Sequence, residues 1–75
     1  MTSKSITYTA TAPNGTVRTE TAPATWTEVW FCFREAPTGG YFVTRHRTEK
    51  AARTGSAPNA IIGAWPRTAA RGVRV

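Results

Sequence analysis

The chain has 75 residues, a mass of 8.2 kDa and a formal net charge of +6, values that describe one small basic domain with a thin hydrophobic core. It contains no Asp, and only one Cys and one His. This composition excludes an Asp-containing catalytic triad, an intrachain disulfide, and a metal site built from several Cys or His ligands.

The first predicted element is a β-hairpin. Polar and apolar residues alternate over 5–12, which is typical of a strand with one buried face. Asn14-Gly15 follows and predicts a two-residue type I′ turn, in which both central residues have positive φ. The chain then returns as a second strand. This turn sets a register in which Arg18 lies opposite Thr11.

Residues 26–34 allow two interpretations. One apolar set has the spacing of a helix face: Trp26, Val29, Trp30 and Phe33. The run 29–33 instead consists of residues with good strand propensity. We favour a strand, because turn residues at 37–40 and a return strand at 41–46 follow. A central strand covered on both faces would bury Cys32 as a structural thiol.

The C-terminal half begins with the signals of a short helix. Thr48 is suited to the N-cap and Gly55 to the position after the helix end. A linker at 56–59 leads to the apolar run 60–65, which we predict to be a strand rather than a helix. The stretch 67–75 carries three Arg and no acidic residue, and we predict a mobile tail or an edge strand at its very end.

Together these elements predict an α+β fold. We expect a small, mostly antiparallel sheet of four or five strands with one short helix, in the order β-β-β-β-α-β. Residues 1–66 would form a single compact domain and 67–75 a basic C-terminal tail. The longest apolar runs are far shorter than the roughly 20 residues that cross a membrane, and the N-terminus lacks the apolar stretch of a signal peptide. We therefore expect a cytoplasmic protein, and an exposed strand edge that allows a homodimer.

The charge is segregated along the chain. Residues 1–40 sum to zero, whereas residues 41–75 sum to +6. The preference for Arg over Lys also fits the codon bias of a GC-rich genome. Codon bias does not explain the segregation of charge, which predicts a polyanionic partner. The predicted partner-binding residues are these cations together with two tryptophans beside proline breaks: Arg45, Arg47, Lys50, Arg53, Arg67, Arg71, Arg74, Trp26 and Trp65.

Four of these cations are expected to converge where a strand end meets a helix start: Arg45, Arg47, Lys50 and Arg53. The alternative is a solvated face that keeps a small domain soluble. His46 lies between two arginines, which should disfavour its protonated form. Because no spacing of residues supports catalysis, we expect a non-enzymatic protein with no cofactor and no metal.

Two classes of partner remain open from the sequence. One is a protein with an acidic surface, and the other is nucleic acid contacted through its phosphates by the same residues. We rank the protein partner ahead, because the chain has no recognition helix of useful length and no known nucleic-acid-binding motif.

Tyr8 and four short segments within residues 5–57 form a series of strands and turns: Ala12-Pro13-Asn14-Gly15-Thr16, Trp26-Thr27-Glu28-Val29, Gly40-Tyr41-Phe42-Val43 and Glu49-Lys50-Ala51-Ala52. In these segments the chain resembles small accessory proteins of phages that infect high-GC actinobacteria. The resemblance implies a phage protein acting in the cytoplasm of its host, where some such proteins bind host proteins and others bind nucleic acid. It implies no functional residue, and it does not reach the C-terminal stretch.

Overall fold

The structure is a computed structural model that describes residues 4–75. These residues form six strands and two short helices, in this order along the chain: β1 (Ser5–Thr11), β2 (Val17–Pro23), β3 (Trp30–Glu35), β4 (Tyr41–His46), α1 (Glu49–Thr54), α2 (Ala60–Gly63), β5 (Arg67–Arg71) and β6 (Val73–Arg74).

The strands form two antiparallel sheets, the first in the order β2-β1-β6 and the second in the order β4-β3-β5. Only Gly72 separates β5 from β6, so one stretch of chain passes from an edge of the second sheet to an edge of the first. The predicted α+β class with antiparallel strands is confirmed. The strand count differs, because the described residues form six strands in two sheets rather than four or five in one, and a second helix is present.

The hydrophobic core lies between the two sheets, and β3 is its centre. Phe31 and Phe33 of β3 are fully buried and pack in one cluster with Tyr8 of β1. The opposite face of β3 is covered by α1, whose Ala52 is fully buried. The strand interpretation is therefore correct for residues 30–34, whereas residues 26–29 precede the strand and form neither strand nor helix. Cys32 is buried as predicted.

The loop of the first hairpin has three residues rather than the predicted two. The Ala12 carbonyl accepts a hydrogen bond from the Gly15 N–H at 2.9 Å, and the Ala12 N–H donates to the Thr16 carbonyl at 2.8 Å. This pattern is a type I turn followed by a bulge at Gly15, whose φ is 91°. Pro13 favours such a turn because its fixed φ suits the first central position. Asn14 does not adopt the positive φ that a type I′ turn requires.

The longer loop shifts the register by one residue. Arg18 pairs with Ala10 instead of Thr11, so Arg18 lies on the face of the sheet that also carries the core residues of β1. The second hairpin uses the same loop: the Gly39 N–H donates to the Ala36 carbonyl at 3.0 Å, and the φ of Gly39 is 89°. An Ala-Pro-X-Gly sequence thus closes both hairpins.

The helix predicted at 48–55 is confirmed. The Thr48 hydroxyl accepts a hydrogen bond from the Ala51 N–H at 3.1 Å, and the Gly55 N–H donates to the Ala51 carbonyl. The strand predicted at 60–65 is wrong, because Asn59 caps a helix there through a hydrogen bond from the Ile62 N–H at 2.9 Å. Among the described residues, neither helix has the length and apolar run needed to cross a membrane.

The basic stretch 67–75 does not form the predicted mobile tail, but the alternative of an edge strand at its very end agrees with β6, which lies at an edge of the first sheet. β5 pairs with the central strand β3, and β6 pairs with β1. Because β3 is buried on both faces, its backbone groups need a strand partner on each side, and β5 supplies the second one. The last nine residues therefore hold the two sheets together.

Candidate binding surface

Trp26 holds two arginines at the surface. It lies in the segment between β2 and β3 and is half-buried against the core. The guanidinium carbons of Arg45 and Arg47 lie 5.8 Å and 5.7 Å from its ring centre, within the roughly 6 Å range of cation–π interactions. We call these three residues the Trp26–arginine patch.

The strand pairing explains why Arg45 reaches Trp26. Arg45 lies opposite Phe31 in the β3–β4 pair, so its side chain is on the face of the second sheet that is turned toward the first sheet. Both arginines are exposed. Among residues 4–75 the only ion pair joins Arg53 and Glu49, so no carboxylate of the described chain neutralises the patch. Both guanidinium groups are open to an anionic partner.

Trp26 also lines a cleft of about 440 Å³. This cleft is lined by β1, the segment 24–28 and the chain from the end of β5 through β6. Arg71 and Arg74 line it, together with one acidic residue, Glu28. Two of the predicted C-terminal cations thus lie near the Trp26–arginine patch.

The remaining predicted cations lie elsewhere. Lys50, Arg53 and Arg67 line a separate depression of about 470 Å³ between α1 and β5. Because α1 packs on the opposite face of the second sheet from the one that carries Arg45, the sheet separates the two groups. The expectation that Arg45, Arg47, Lys50 and Arg53 converge is therefore wrong. Trp65 is half-buried after α2 and lines neither cavity.

Arg34 is not among the residues predicted from the sequence, and it is only 2% exposed. Its Nη1 donates to the Gly63 carbonyl at 3.2 Å, and its Nε has no hydrogen-bond partner among the described residues. Its cross-strand neighbour Arg67 donates from Nε to the Arg53 carbonyl. Each arginine thus bonds a carbonyl near the C-terminus of a short helix. No local signal could have revealed this arrangement, because it depends on the pairing of β3 with β5.

His46 is kept neutral by its surroundings. Burial lowers its pKa below 6.5, and the positive charge of Arg34 lowers it further. Its Nε2 lies 2.8 Å from the Thr44 hydroxyl oxygen. The direction predicted from the sequence is confirmed, but the cause is burial and Arg34 rather than the two flanking arginines.

The chemistry available on this surface is recognition of negative charge. Residues 4–75 contain no group of three or more His, Cys, Asp or Glu side chains that could hold a metal ion. Cys32 is fully buried. The exposed guanidinium groups remain, and their flat arrangement of donors matches carboxylates and phosphates.

Comparisons of this chain with protein-family models, with curated proteins and with solved structures found no match. The resemblance to phage accessory proteins therefore stays a prediction.

Proposed function

We propose that this protein is a small, non-enzymatic binding protein that engages an acidic surface of another protein through the Trp26–arginine patch. The observation that carries the proposal is the pair of exposed guanidinium groups held 5.8 Å and 5.7 Å from the centre of one indole ring. Trp and Arg are the residue types that dominate the energy of protein interfaces. The setting that we propose, from the sequence resemblance, is a phage protein acting on a host protein in the host cytoplasm.

Three features favour a protein partner over nucleic acid. A nucleic-acid backbone is bound along a continuous track of cations, whereas here the second sheet separates Arg45 from Lys50 and Arg53. The ring of Trp26 already carries two guanidinium groups, which compete with the stacking of a base. The longer helix, α1, has six residues and is too short to read a major groove.

The test is affinity capture from a nuclease-treated lysate of the candidate host, with three tagged proteins. These are the wild type, Arg45→Gln/Arg47→Gln, and the matched control Lys50→Gln/Arg53→Gln, which removes the same charge from the α1 side. We expect the wild type and the control to capture the same partner protein. The Arg45→Gln/Arg47→Gln variant should capture at least about tenfold less of it, because a hot-spot residue contributes at least about 1.4 kcal/mol to binding, which corresponds to a tenfold change in affinity.

A further variant, Arg45→Lys/Arg47→Lys, keeps the charge but removes the planar donors. Intermediate capture is expected, because Lys cannot form bidentate contacts with carboxylates. Equal loss by both double Gln variants would mean that net charge alone matters and would reject the patch.

Fluorescence anisotropy tests the nucleic-acid alternative directly. Labelled duplex DNA, single-stranded DNA and RNA are titrated at about 50 and 200 mM salt. We expect the protein to show no sequence-independent binding to these nucleic acids of the kind whose affinity falls steeply as the salt concentration rises. Tight binding at low salt with a steep loss at high salt would replace the protein partner with nucleic acid.

A further inference from the structure

The strand β2 is an open edge of the first sheet. In the order β2-β1-β6, one side of β2 pairs with β1, and no strand of the described residues pairs with the other side. Edge strands are commonly blocked by Pro, Lys or a bulge. The segment 17–22 contains no Pro, Gly or Lys, and it pairs with β1 residue by residue without a bulge. Its outer backbone groups are therefore available to a further strand.

Hydrogen bonds at both ends of the β1–β2 ladder show which backbone groups face outward. The Ala12 N–H donates to the Thr16 carbonyl at 2.8 Å, and the Ala24 N–H donates to the Lys4 carbonyl at 3.1 Å. In an antiparallel pair, alternate residues of a strand bond to the same neighbour. The even-numbered residues of β2 thus bond to β1, and the N–H and C=O groups that point away from β1 belong to Val17, Thr19 and Thr21.

The side chains of β2 are self-complementary about Thr19. If two copies of β2 pair antiparallel with Thr19 facing Thr19, Arg18 lies directly opposite Glu20 of the other copy, and the symmetry repeats this pair. Facing residues of opposite charge stabilise a sheet, and side chains are closest at positions that are not hydrogen-bonded. Arg18 and Glu20 occupy such positions on the outer edge. Neither has an ion-pair partner within the described chain.

The backbone agrees with the same register. In the register centred on Thr19, the outward-facing backbone N–H and C=O groups of one copy meet those of the other copy, and Val17 lies opposite Thr21. Three facing pairs of this kind form about six backbone hydrogen bonds. The β4 edge of the second sheet lacks this complementarity, because it carries Arg45 but no acidic residue that could face it.

We propose that two copies of this chain associate through β2, antiparallel and edge to edge, into a twofold-symmetric dimer with one continuous sheet of six strands. The occupant of the open edge is thus a second copy of the chain, in the register that sets Arg18 against Glu20. The dimer carries two Trp26–arginine patches, which strengthens binding to any partner that presents two acidic sites. The inference does not depend on what the patch binds.

The test measures mass by sedimentation velocity and light scattering from micromolar to millimolar protein. We expect the wild type to shift from the 8.2 kDa monomer to twice that mass. Arg18→Glu places Glu against Glu, and Glu20→Arg places Arg against Arg, so each single variant should remain monomeric. The doubly exchanged Arg18→Glu/Glu20→Arg protein should dimerise again, and an equal mixture of the two single variants should form a heterodimer.

Thr19→Pro provides a second, independent variant. The N–H that it removes points away from β1, so the fold should survive, as circular dichroism can verify. Dimerisation should be abolished. A wild type that stays monomeric at millimolar concentration overturns the proposal. A dimer that persists in folded Thr19→Pro, or single charge variants that do not recombine, also overturns it, because the contact then lies on another surface.

Discussion

Gly72 lies so close to Phe31 that a Cβ on Gly72 would stand 2.9 Å from the Cε1 of the Phe31 ring. The Gly72 N–H also donates to the Val29 carbonyl at 2.7 Å. Gly72 is the residue at which the chain leaves β5 for β6, so the close approach fixes the distance between the two sheets. A side chain at this position would have to push the sheets apart or displace the fully buried Phe31.

The first prediction follows from this contact. Gly72→Ala should lower the free energy of unfolding by about 1–3 kcal/mol, the usual cost of forcing extra volume into a packed core, as measured by urea denaturation. Gly63→Ala is the matched control, because its Cβ would meet Ala57 at an ordinary 3.5 Å. Within α2 that change should be neutral or stabilising by up to about 1 kcal/mol. Equal losses in the two variants would contradict the prediction.

The elements predicted correctly are those with local signals. Alternation over 5–12 and the turn at 37–40 were sufficient to place the strands of both hairpins, and Thr48 with Gly55 was sufficient to place α1. The register of the first hairpin was predicted wrongly because Asn14-Gly15 was considered without Pro13, which determines the turn type.

The elements predicted wrongly depend on contacts between distant parts of the chain. The strand β5 forms because β3, which is buried on both faces, needs a second strand partner. The sequence around β5 contains three arginines and gives no local signal for this pairing. The prediction that the cations converge rests on a strand end, with Arg45 and Arg47, meeting a helix start, with Lys50 and Arg53. It failed because the helix that carries Lys50 and Arg53 crosses to the other face of the sheet that carries Arg45.

The second prediction concerns the buried Arg34. Among the described residues its Nε has no hydrogen-bond partner, and Arg34 lies opposite Arg67, a second positive charge. Replacing an uncompensated buried charge with an apolar side chain of similar size is commonly neutral or stabilising. Arg34→Met should therefore leave the free energy of unfolding unchanged or raise it by up to about 2 kcal/mol, despite the loss of the Gly63 hydrogen bond. Arg34→Ala should lower it, because a cavity remains.

Urea denaturation of both variants measures this effect. A loss of more than about 1 kcal/mol in Arg34→Met would show that the guanidinium makes a strong interaction in the folded protein. Such a loss would contradict the view that Arg34 is an uncompensated charge.

The third prediction is a pH dependence that arises from His46. Its pKa is lowered in the folded protein by burial and by Arg34, so the folded state binds the proton less readily than the unfolded state does. Above about pH 6.5 both states are neutral at this residue and its contribution is fully present. As the pH falls from about 6.5 through the folded pKa, the unfolded state gains protons first and stability declines.

Because His46 is the only histidine, an NMR titration of its ring protons measures the folded pKa without ambiguity. His46→Gln should remove the decline in stability within this pH range, and Arg34→Met should raise the His46 pKa toward its ordinary value. A His46 pKa at or above 6.5 in the wild type would contradict the prediction.

The fourth prediction tests whether the Trp26–arginine patch is organised before any partner binds. If Arg45 lies over the indole in solution, removing either residue should also remove the interaction with the other. A double-mutant cycle of Trp26→Leu and Arg45→Met should therefore give a coupling free energy of about 0.5–1 kcal/mol, the size measured for exposed cation–π pairs.

The control cycle pairs Trp26→Leu with Lys50→Met, which lies on the α1 side of the second sheet. Its coupling should be zero within error, because the two side chains share no contact. Raising the salt concentration should reduce the Trp26–Arg45 coupling only modestly, since the charge rests against a ring rather than a distant carboxylate. Equal coupling in both cycles would mean that Trp26 acts through the stability of the whole fold. The two arginine side chains would then be mobile and would become ordered only when a partner binds.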